Sequence, residues 1–426
     1  MQFKILYLTF ILVLGFFNQA YAQEGNFSQP IPNQYIIEFN DTEEDVVTKA
    51  VKLANKHGLH NLNIYNHVLK GAQVIIPPGK EKDLQNDPDV KNLVQDFTIS
   101  ANDKPSEPGN PGMGGGSTTS SGQIIPTGIN WIDAELNTTN EGSGVKVAVL
   151  DTGIDFSHPD LMVNISLSKD FTNDGTSGND NNTAKGIKGH GTHVAGVIAA
   201  LDNNIGVLGV GSQIALVSVK VLDRTGSGSF GWIIAGLDYV TGTGTISVAN
   251  LSLGALGGTN PTQSFINASN LLHQAVQRAV NAGVVVVVAA GNESVNVTES
   301  NAVPAMYPEA ISVSALDDRD GIQGNDKWAS FSNFGSEVDI IAPGVNILST
   351  ALGGGTSSLS GTSFSSPYVA GTVGLYIARN GSPSNGDARL LSSLISAISQ
   401  IRVPLSGEPS DGYTESSCYA NGVALK

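Results

Sequence analysis

A set of short runs dominates the chain after Pro126: VKVAVLD, ALVSVKVL, TISVANLSLG, VVVVVAAGN and AISVSAL. They are almost wholly apolar rather than alternating, which is how strands covered on both faces read, and helical stretches separate them. Strands of this kind need helices packed on each side. The runs therefore predict an α/β fold in three layers with a mostly parallel central sheet. No repeat recurs at a fixed period of about 20–50 residues.

The preceding segment has a different rhythm. YIIEFN (Tyr35 to Asn40) reads as a strand, Glu43 to His57 as a helix, IYNHVLKGAQVII as strand again, Lys82 to Leu93 as a second helical piece, and VQDFTI as a closing strand. This β-α-β pattern predicts a small α+β domain over residues 23–100. Residues 101–121, centred on PSEPGNPGMGGGSTTSSG, lack apolar periodicity and predict a flexible tether ahead of a main domain at 122–426. At the start, Lys4, the apolar run Ile5 to Phe17 and Ala20-Tyr21-Ala22 read as a signal peptide over residues 1–22. The run is shorter than the roughly 20 residues of a bilayer span, so export with no lasting membrane span is expected.

Charge narrows the partners. Charged residues make up 14 % of the 426-residue chain, against about 25 % in a typical soluble domain. The formal net charge of −16 disfavours nucleic acid and anionic membrane surfaces, which call for basic patches. With Cys418 the only cysteine, no internal disulfide can form in an oxidising compartment. Stability must come from packing or bound ions.

Four turns at the ends of core elements carry residues suited to chemistry. In VKVAVLDTGID, Asp151 ends a strand at the sheet edge where open α/β folds place their sites, although an ordinary turn carboxylate looks the same. In GHGTHVAG, His190 stands between glycines that allow close approach, and His193 follows on the same helix start. The pair lacks an HExxH pattern or a third His or Cys at ligand spacing, which argues against zinc. In SGTSFSSP, Ser363 opens a helix near Pro367, where the backbone N–H and helix dipole favour an oxyanion; a plain N-cap serine is the commoner case. In VVVVVAAGNE, Asn292 follows a buried strand and offers a side-chain amide as a second donor.

Asp, His and Ser in that chain order, with the Asn between the last two, resemble the catalytic domain of the subtilisin family (subtilases) from Pro126 to about Ile395. DTGID, GHGTHVAG and GTSFSSP resemble its three signature segments, and ASFSNFG and IIAPG match between them. The resemblance implies a subtilisin-like serine endopeptidase in which Asp151 orients His190, His190 takes the proton of Ser363, and Asn292 with the Ser363 N–H holds the oxyanion. His193 matches a structural position.

The same resemblance implies that polypeptide substrates add as a strand between Ser252-Leu253-Gly254 and Gly226 to Gly228. Phe230, Ile233 and Leu253 then line the pocket for the fourth residue before the scissile bond. Ala289, Gly291 and Glu293 wall the pocket beside the bond, where the loop Ser294 to Ala302 departs from bacterial relatives in length and Ala302 replaces a glycine. LDNNIGVLGVG resembles a calcium loop, with Asn203 and the carbonyls of Leu201, Ile205 and Val207 joined by Asp160 and Gln123 as oxygen ligands of a structural Ca2+. Tyr35 to Asp96 looks like the inhibitory and chaperoning propeptide, so the expected product is a secreted, extracellular zymogen that acts as a monomer and cuts itself near Ser121–Gly122. A catalytically silent peptide-binding module on the same fold is the rival reading. An α/β-hydrolase is disfavoured because no G-x-S-x-G elbow occurs.

Overall fold

The computed structural model describes residues 27–40, 44–101, 117–118, 122–139, 141–382, 395–400 and 404–420. The expected leader and most of the expected tether lie outside these residues. The N-terminal unit comprises β1 (Pro30–Phe39), α1 (Val46–His57), β2 (His60–Tyr65), β3 (Gly71–Ile75), a short α2 (Glu81–Gln85) and β4 (Val90–Ser100). The Asp45 carboxylate accepts from the N–H groups of Val47 and Thr48 to start α1, and Gly58, at φ 68°, ends it in the left-handed region that glycine adopts without strain. The second helix is shorter than its pattern suggests. Pro88 disfavours helical geometry at Asp87, and the chain from Val90 becomes strand, so Leu93 belongs to β4.

In the main unit, the parallel strands are β5 (Lys146–Asp151), β6 (Ala215–Lys220), β8 (Val248–Leu251), β9 (Val285–Ala289), β10 (Ile311–Asp317), β11 (Ile340–Pro343) and β14 (Ser416–Cys418). They lie in the order β14-β11-β10-β9-β8-β5-β6, with Lys169–Asp170 at the β6 edge. Between them run β7 (Ser227–Ser229), the hairpin β12 (Ile347–Ala351) and β13 (Gly355–Leu359), and the helices α3 (His190–Ala199), α4 (Phe230–Thr243), α5 (Gln263–Asn281) and α6 (Thr362–Asn380).

Side-chain alternation divides the core between the two sheet faces. Val147 and Val149 pack with α3 and α6, while Ala148 and Leu150 face α4 and α5. The architecture is thus the expected three-layer α/β fold with a small α+β unit before it.

The two units share one of these cores. Tyr65, Val68, Leu69, Phe97 and Ile99 of the N-terminal unit are buried with Phe230 and Phe265 of the helices. Phe97 meets Phe265 edge-on at 5.6 Å between centroids, and Phe265 meets Phe230 at 5.8 Å. Fully burying each phenyl group is worth roughly 1.5–3 kcal/mol, and each favourable ring pair about 0.5–1.5 kcal/mol more. Polar contacts fix the orientation. Asp238 of α4 accepts from the N–H groups of Asn66, His67 and Val68, and fully buried Asp96 accepts from Gly231 N–H at 3.1 Å.

Candidate active site

Asp151 is the last residue of β5, and His190 is the first of α3, whose helix runs back across the sheet. His190 Nδ1 lies 2.7 Å from Asp151 Oδ1, and neither side chain is exposed. The approach needs a glycine beside the histidine, because a Cβ at Gly191 would stand 2.2 Å from the Gly153 carbonyl oxygen. Thr152 N–H donates to the same Asp151 oxygen at 2.6 Å.

Ser363 sits in the first turn of α6, where backbone N–H groups have no intrahelical acceptor. Phe364 packs against both His190 and His193, at 5.3 and 4.6 Å between ring centroids, which brings the starts of α3 and α6 together. Ser363 Oγ donates over a long 3.4 Å to the Ser252 carbonyl. Pro367 falls one turn deeper in α6 than expected, so the Ser363 carbonyl lacks the backbone N–H that position 367 would otherwise supply. Ser252 Oγ donates to it instead, at 2.7 Å, and ties the Ser363 turn to the SLG segment.

Asn292 follows β9 and is buried. Its Oδ1 accepts from Thr362 N–H at 2.8 Å and from the Thr362 hydroxyl at 3.0 Å. A backbone N–H can only donate, so this contact fixes which end of the amide faces α6 and makes the opposite end the NH2 donor.

The positions expected to line a groove are also assembled. Leu253, Gly254, Ala289, Gly291, Glu293, Ala302 and Ser363 surround one cavity. Glu293 is turned into its wall, with Oε2 accepting from Asn292 N–H and Asn333 Nδ2 at 2.9 and 2.8 Å. Phe230, Ile233 and Leu253 are buried in the same apolar cluster as Ile99 of β4. Gly226 and Gly228 lie on the opposite edge, where a Cβ at 228 would meet the Val221 carbonyl at 2.4 Å.

The two histidines of GHGTHVAG turn to different partners. His193 Nε2 meets the Ser357 carbonyl of β13 at 3.0 Å, with its ring edge-on to Phe364.

The oxygen-rich loop converges as well. Asp160 Oδ2 accepts from Val207 N–H at 2.9 Å, while its Oδ1 is buried with no hydrogen-bond donor among the described residues. Gln123 Nε2 donates to the carbonyls of Leu201 and Val207 at 2.5 and 3.1 Å, and Asn203 Oδ1 accepts from Ile205 N–H at 3.1 Å. A buried carboxylate oxygen left without a donor, on a loop whose Leu201 and Val207 carbonyls converge on Gln123, fits a hard cation. Gln123 can present Oε1 to the same point by an amide flip. Among the described residues no three His, Cys, Asp or Glu side chains form a metal group. This set has only one carboxylate.

The sequence reading missed three supporting residues. Asp180 is buried behind the Asp151 turn: it accepts from the Thr192 hydroxyl and N–H at 2.6 and 3.2 Å, from the Thr152 hydroxyl at 3.2 Å and from Asn182 N–H at 2.9 Å. Burial pushes its carboxyl up to about 6 against the pull of those bonds, and the Asp151 charge adds to the rise. Fully buried Lys220 donates to the Thr152 and Leu222 carbonyls and to Asn181 Oδ1, at 2.6, 2.9 and 3.0 Å, and so fixes the turn after Asp151. Asn333 holds the Asn292 loop through Ala290 O, Glu293 N–H and Val295 N–H. ASFSNFG contains it, so only its role was hidden.

The profile of the Subtilase family matches residues 142–397. The sequence is 35 % identical over 388 residues to "Subtilisin E" of Bacillus subtilis (strain 168), covering 90 % of this chain and 89 % of that protein. It is 42 % identical over 272 residues to "Subtilisin" of Bacillus pumilus, covering 63 % and 90 % respectively. Among solved structures, a "cold adapted subtilisin-like serine proteinase" superposes with a TM-score of 0.52 at 32 % identity, over 67 % of this chain and 91 % of that one.

Proposed function

The chain belongs to the subtilase family of serine endopeptidases, and on that premise we propose that it is a secreted zymogen using Asp151, His190 and Ser363 as its catalytic triad. The observation that carries the assignment is the 2.7 Å contact between His190 Nδ1 and Asp151 Oδ1, made out of reach of water and beside the first turn of the Ser363 helix. With Nδ1 committed to the carboxylate, Nε2 is the nitrogen left to take the Ser363 proton. Ser363 Oγ then attacks the peptide carbonyl, the negative charge on oxygen is held by the Ser363 N–H and the Asn292 amide, and His190 returns the proton to the leaving amine. Water releases the acyl group by the same steps in reverse order of roles.

Substrate enters as an extended strand between Gly226 to Gly228 and Ser252 to Gly254, with an apolar residue in the Phe230, Ile233 and Leu253 recess. The N-terminal unit occupies this groove with its own strand and thus serves as intramolecular inhibitor, supported by the pairing of Ser100 with Gly254 and Ser227. Among the described residues no helix is long and apolar enough to cross a membrane. A structural Ca2+ would be held by Gln123, Asp160, Asn203 and the carbonyls of Leu201, Ile205 and Val207. When bound, it supplies positive charge to the orphaned Asp160 oxygen and ties the residue-123 segment to the loop.

Mass spectrometry of a mixed peptide library tests the function. The processed chain should hydrolyse peptide bonds, Ser363→Ala should not, and equal inactivity of both would favour the silent binding module.

A further inference from the structure

The 2.7 Å contact between His190 and Asp151 joins the end of β5 to the start of α3, so whatever fixes those two ends against each other fixes the contact. One buried carboxylate spans them. Asp180 Oδ1 accepts at 3.2 Å from the hydroxyl of Thr152, next in the chain to Asp151. Its Oδ2 accepts from the hydroxyl and N–H of Thr192, two residues past His190, at 2.6 and 3.2 Å. Asn182 N–H adds a bond to Oδ1 at 2.9 Å, and the Asn182 carbonyl and side-chain oxygens both lie 3.2 Å from the N–H of Gly189, the residue before His190. Asp180, Thr152 and Thr192 are all buried.

The direction of each proton follows from its surroundings. Thr152 Oγ1 accepts from Gly191 N–H at 3.0 Å and Thr192 Oγ1 from Asp155 N–H at 3.0 Å, so each hydroxyl has its single proton left for Asp180. Asp180 therefore meets only donors, and it matches them only as a carboxylate. A proton on either oxygen, or the NH2 of an asparagine in its place, would set donor against donor and force a hydroxyl to turn. Thr152 carries the constraint onward, because its N–H donates at 2.6 Å to Asp151 Oδ1, the same oxygen that holds His190 Nδ1.

We propose that Asp180 is a positioning residue for the reaction: through Thr152 and Thr192 its carboxylate sets the place of Asp151 relative to His190, while it touches neither substrate nor reacting atoms. The proposal rests on the triad reading above. A catalytic group misplaced by about 1 Å costs about 100-fold in rate, so a rigid brace at this point acts on kcat. Hydrogen bonds to a charged oxygen in a dry interior are the stronger kind, which suits a carboxylate to the task. Its burial is unfavourable to the fold, since it pushes the carboxyl up to about 6, so at higher pH a neutral side chain of the same size should not lower stability.

The test compares the processed unaltered chain with Asp180→Asn, Thr152→Val and the double variant, with kcat counted per active site titrated to completion by a fluorophosphonate. Asp180→Asn should lower kcat about 10- to 100-fold, leave KM within about twofold, and melt no lower than the unaltered chain at about pH 8. Thr152→Val deletes the hydroxyl between Asp180 and Gly191 and should lose a comparable factor; it also carries the test if Asp180→Asn does not fold or process. The double variant should lose little more than either single one, because both break the same link. A kcat per site within about twofold of the unaltered chain, or losses that multiply fully in the double variant, would overturn the proposal and leave the triad intact. A loss confined to the number of titratable sites, or to KM, would overturn it as well. An unaltered processed chain that cleaves no peptide would instead overturn the triad reading itself.

Discussion

His190 Nδ1 stands 2.7 Å from Asp151 Oδ1 in a pocket that water does not reach, and the tautomer of the imidazole follows from that one contact. Asp151→Asn keeps the size of the side chain but can donate to Nδ1, favouring the wrong tautomer. The expected result is a fall in kcat of about 10⁴-fold with KM little changed, read from peptide hydrolysis by the processed enzyme. A loss below tenfold would show that Asp151 does not orient the base.

Asn292→Ala removes the proposed oxyanion donor. Removing the corresponding asparagine of a subtilisin costs about 10²–10³-fold in kcat, and this borrowed magnitude is the expectation here. Since Asn292 Oδ1 also accepts from Thr362 N–H, the melting temperature should be measured on the same variant. A fall in kcat without a matching rise in KM separates transition-state loss from damage to the groove.

Asp96 joins the N-terminal unit, the proposed inhibitor, to α4. Its carboxylate accepts from Gly231 N–H and from the side chains of Gln34 and Gln73, at 3.1, 2.8 and 2.8 Å. Asp96→Ala takes the acceptor from the Gly231 N–H and leaves Gln73 Nε2 only Ser229 Oγ, at a cost of about 1–3 kcal/mol. The N-terminal fragment carrying it should inhibit the processed enzyme roughly 10- to 100-fold more weakly, checked by its inhibition constant.

Chelation tests the cation loop. If Ca2+ binds only folded protein, an ion present at about 1,000 times its Kd adds about 4 kcal/mol, so excess chelator should lower the melting temperature. Asp160→Ala should melt at the chelated value with or without added calcium. An unaltered chain insensitive to both treatments would remove calcium from the account.

Asp180 predicts a pH dependence of stability. Its folded pKa, about 6, lies above the value near 3.9 of an exposed aspartate, so between these limits the folded state holds a proton that the unfolded state has released. This group therefore makes stability fall as pH rises from about 4 to about 6, by on the order of 3 kcal/mol, with no further change above. Urea unfolding of Ser363→Ala, which avoids self-digestion, should show a shallower decline over that window when Asp180→Asn is added.

What the sequence revealed and concealed has physical reasons. The parallel sheet was legible because both faces of strands such as Val285–Ala289 are covered, leaving no polar alternation. Asp151, His190, Asn292 and Ser363 stood out because each ends or begins a core element in a turn. The end of α2 was misplaced because Pro88 counts for more than the apolar spacing around it. The burial of Asp180 lay hidden in an Asn-rich loop, since its donors at Thr152 and Thr192 come from other elements. VQDFTIS reads as an ordinary strand, and only its long-range pairing with Ser227 to Ser229 shows that it continues into the groove.

Covalent labelling addresses the central claim, that Ser363 is the nucleophile activated by His190. The processed chain should be incubated with a fluorophosphonate and digested for peptide mass spectrometry. The account predicts one adduct, on Ser363, formed in step with loss of peptidase activity and nearly abolished in His190→Ala. A processed, peptide-cleaving chain labelled at another residue, or inactivated with Ser363 unmodified, would contradict it.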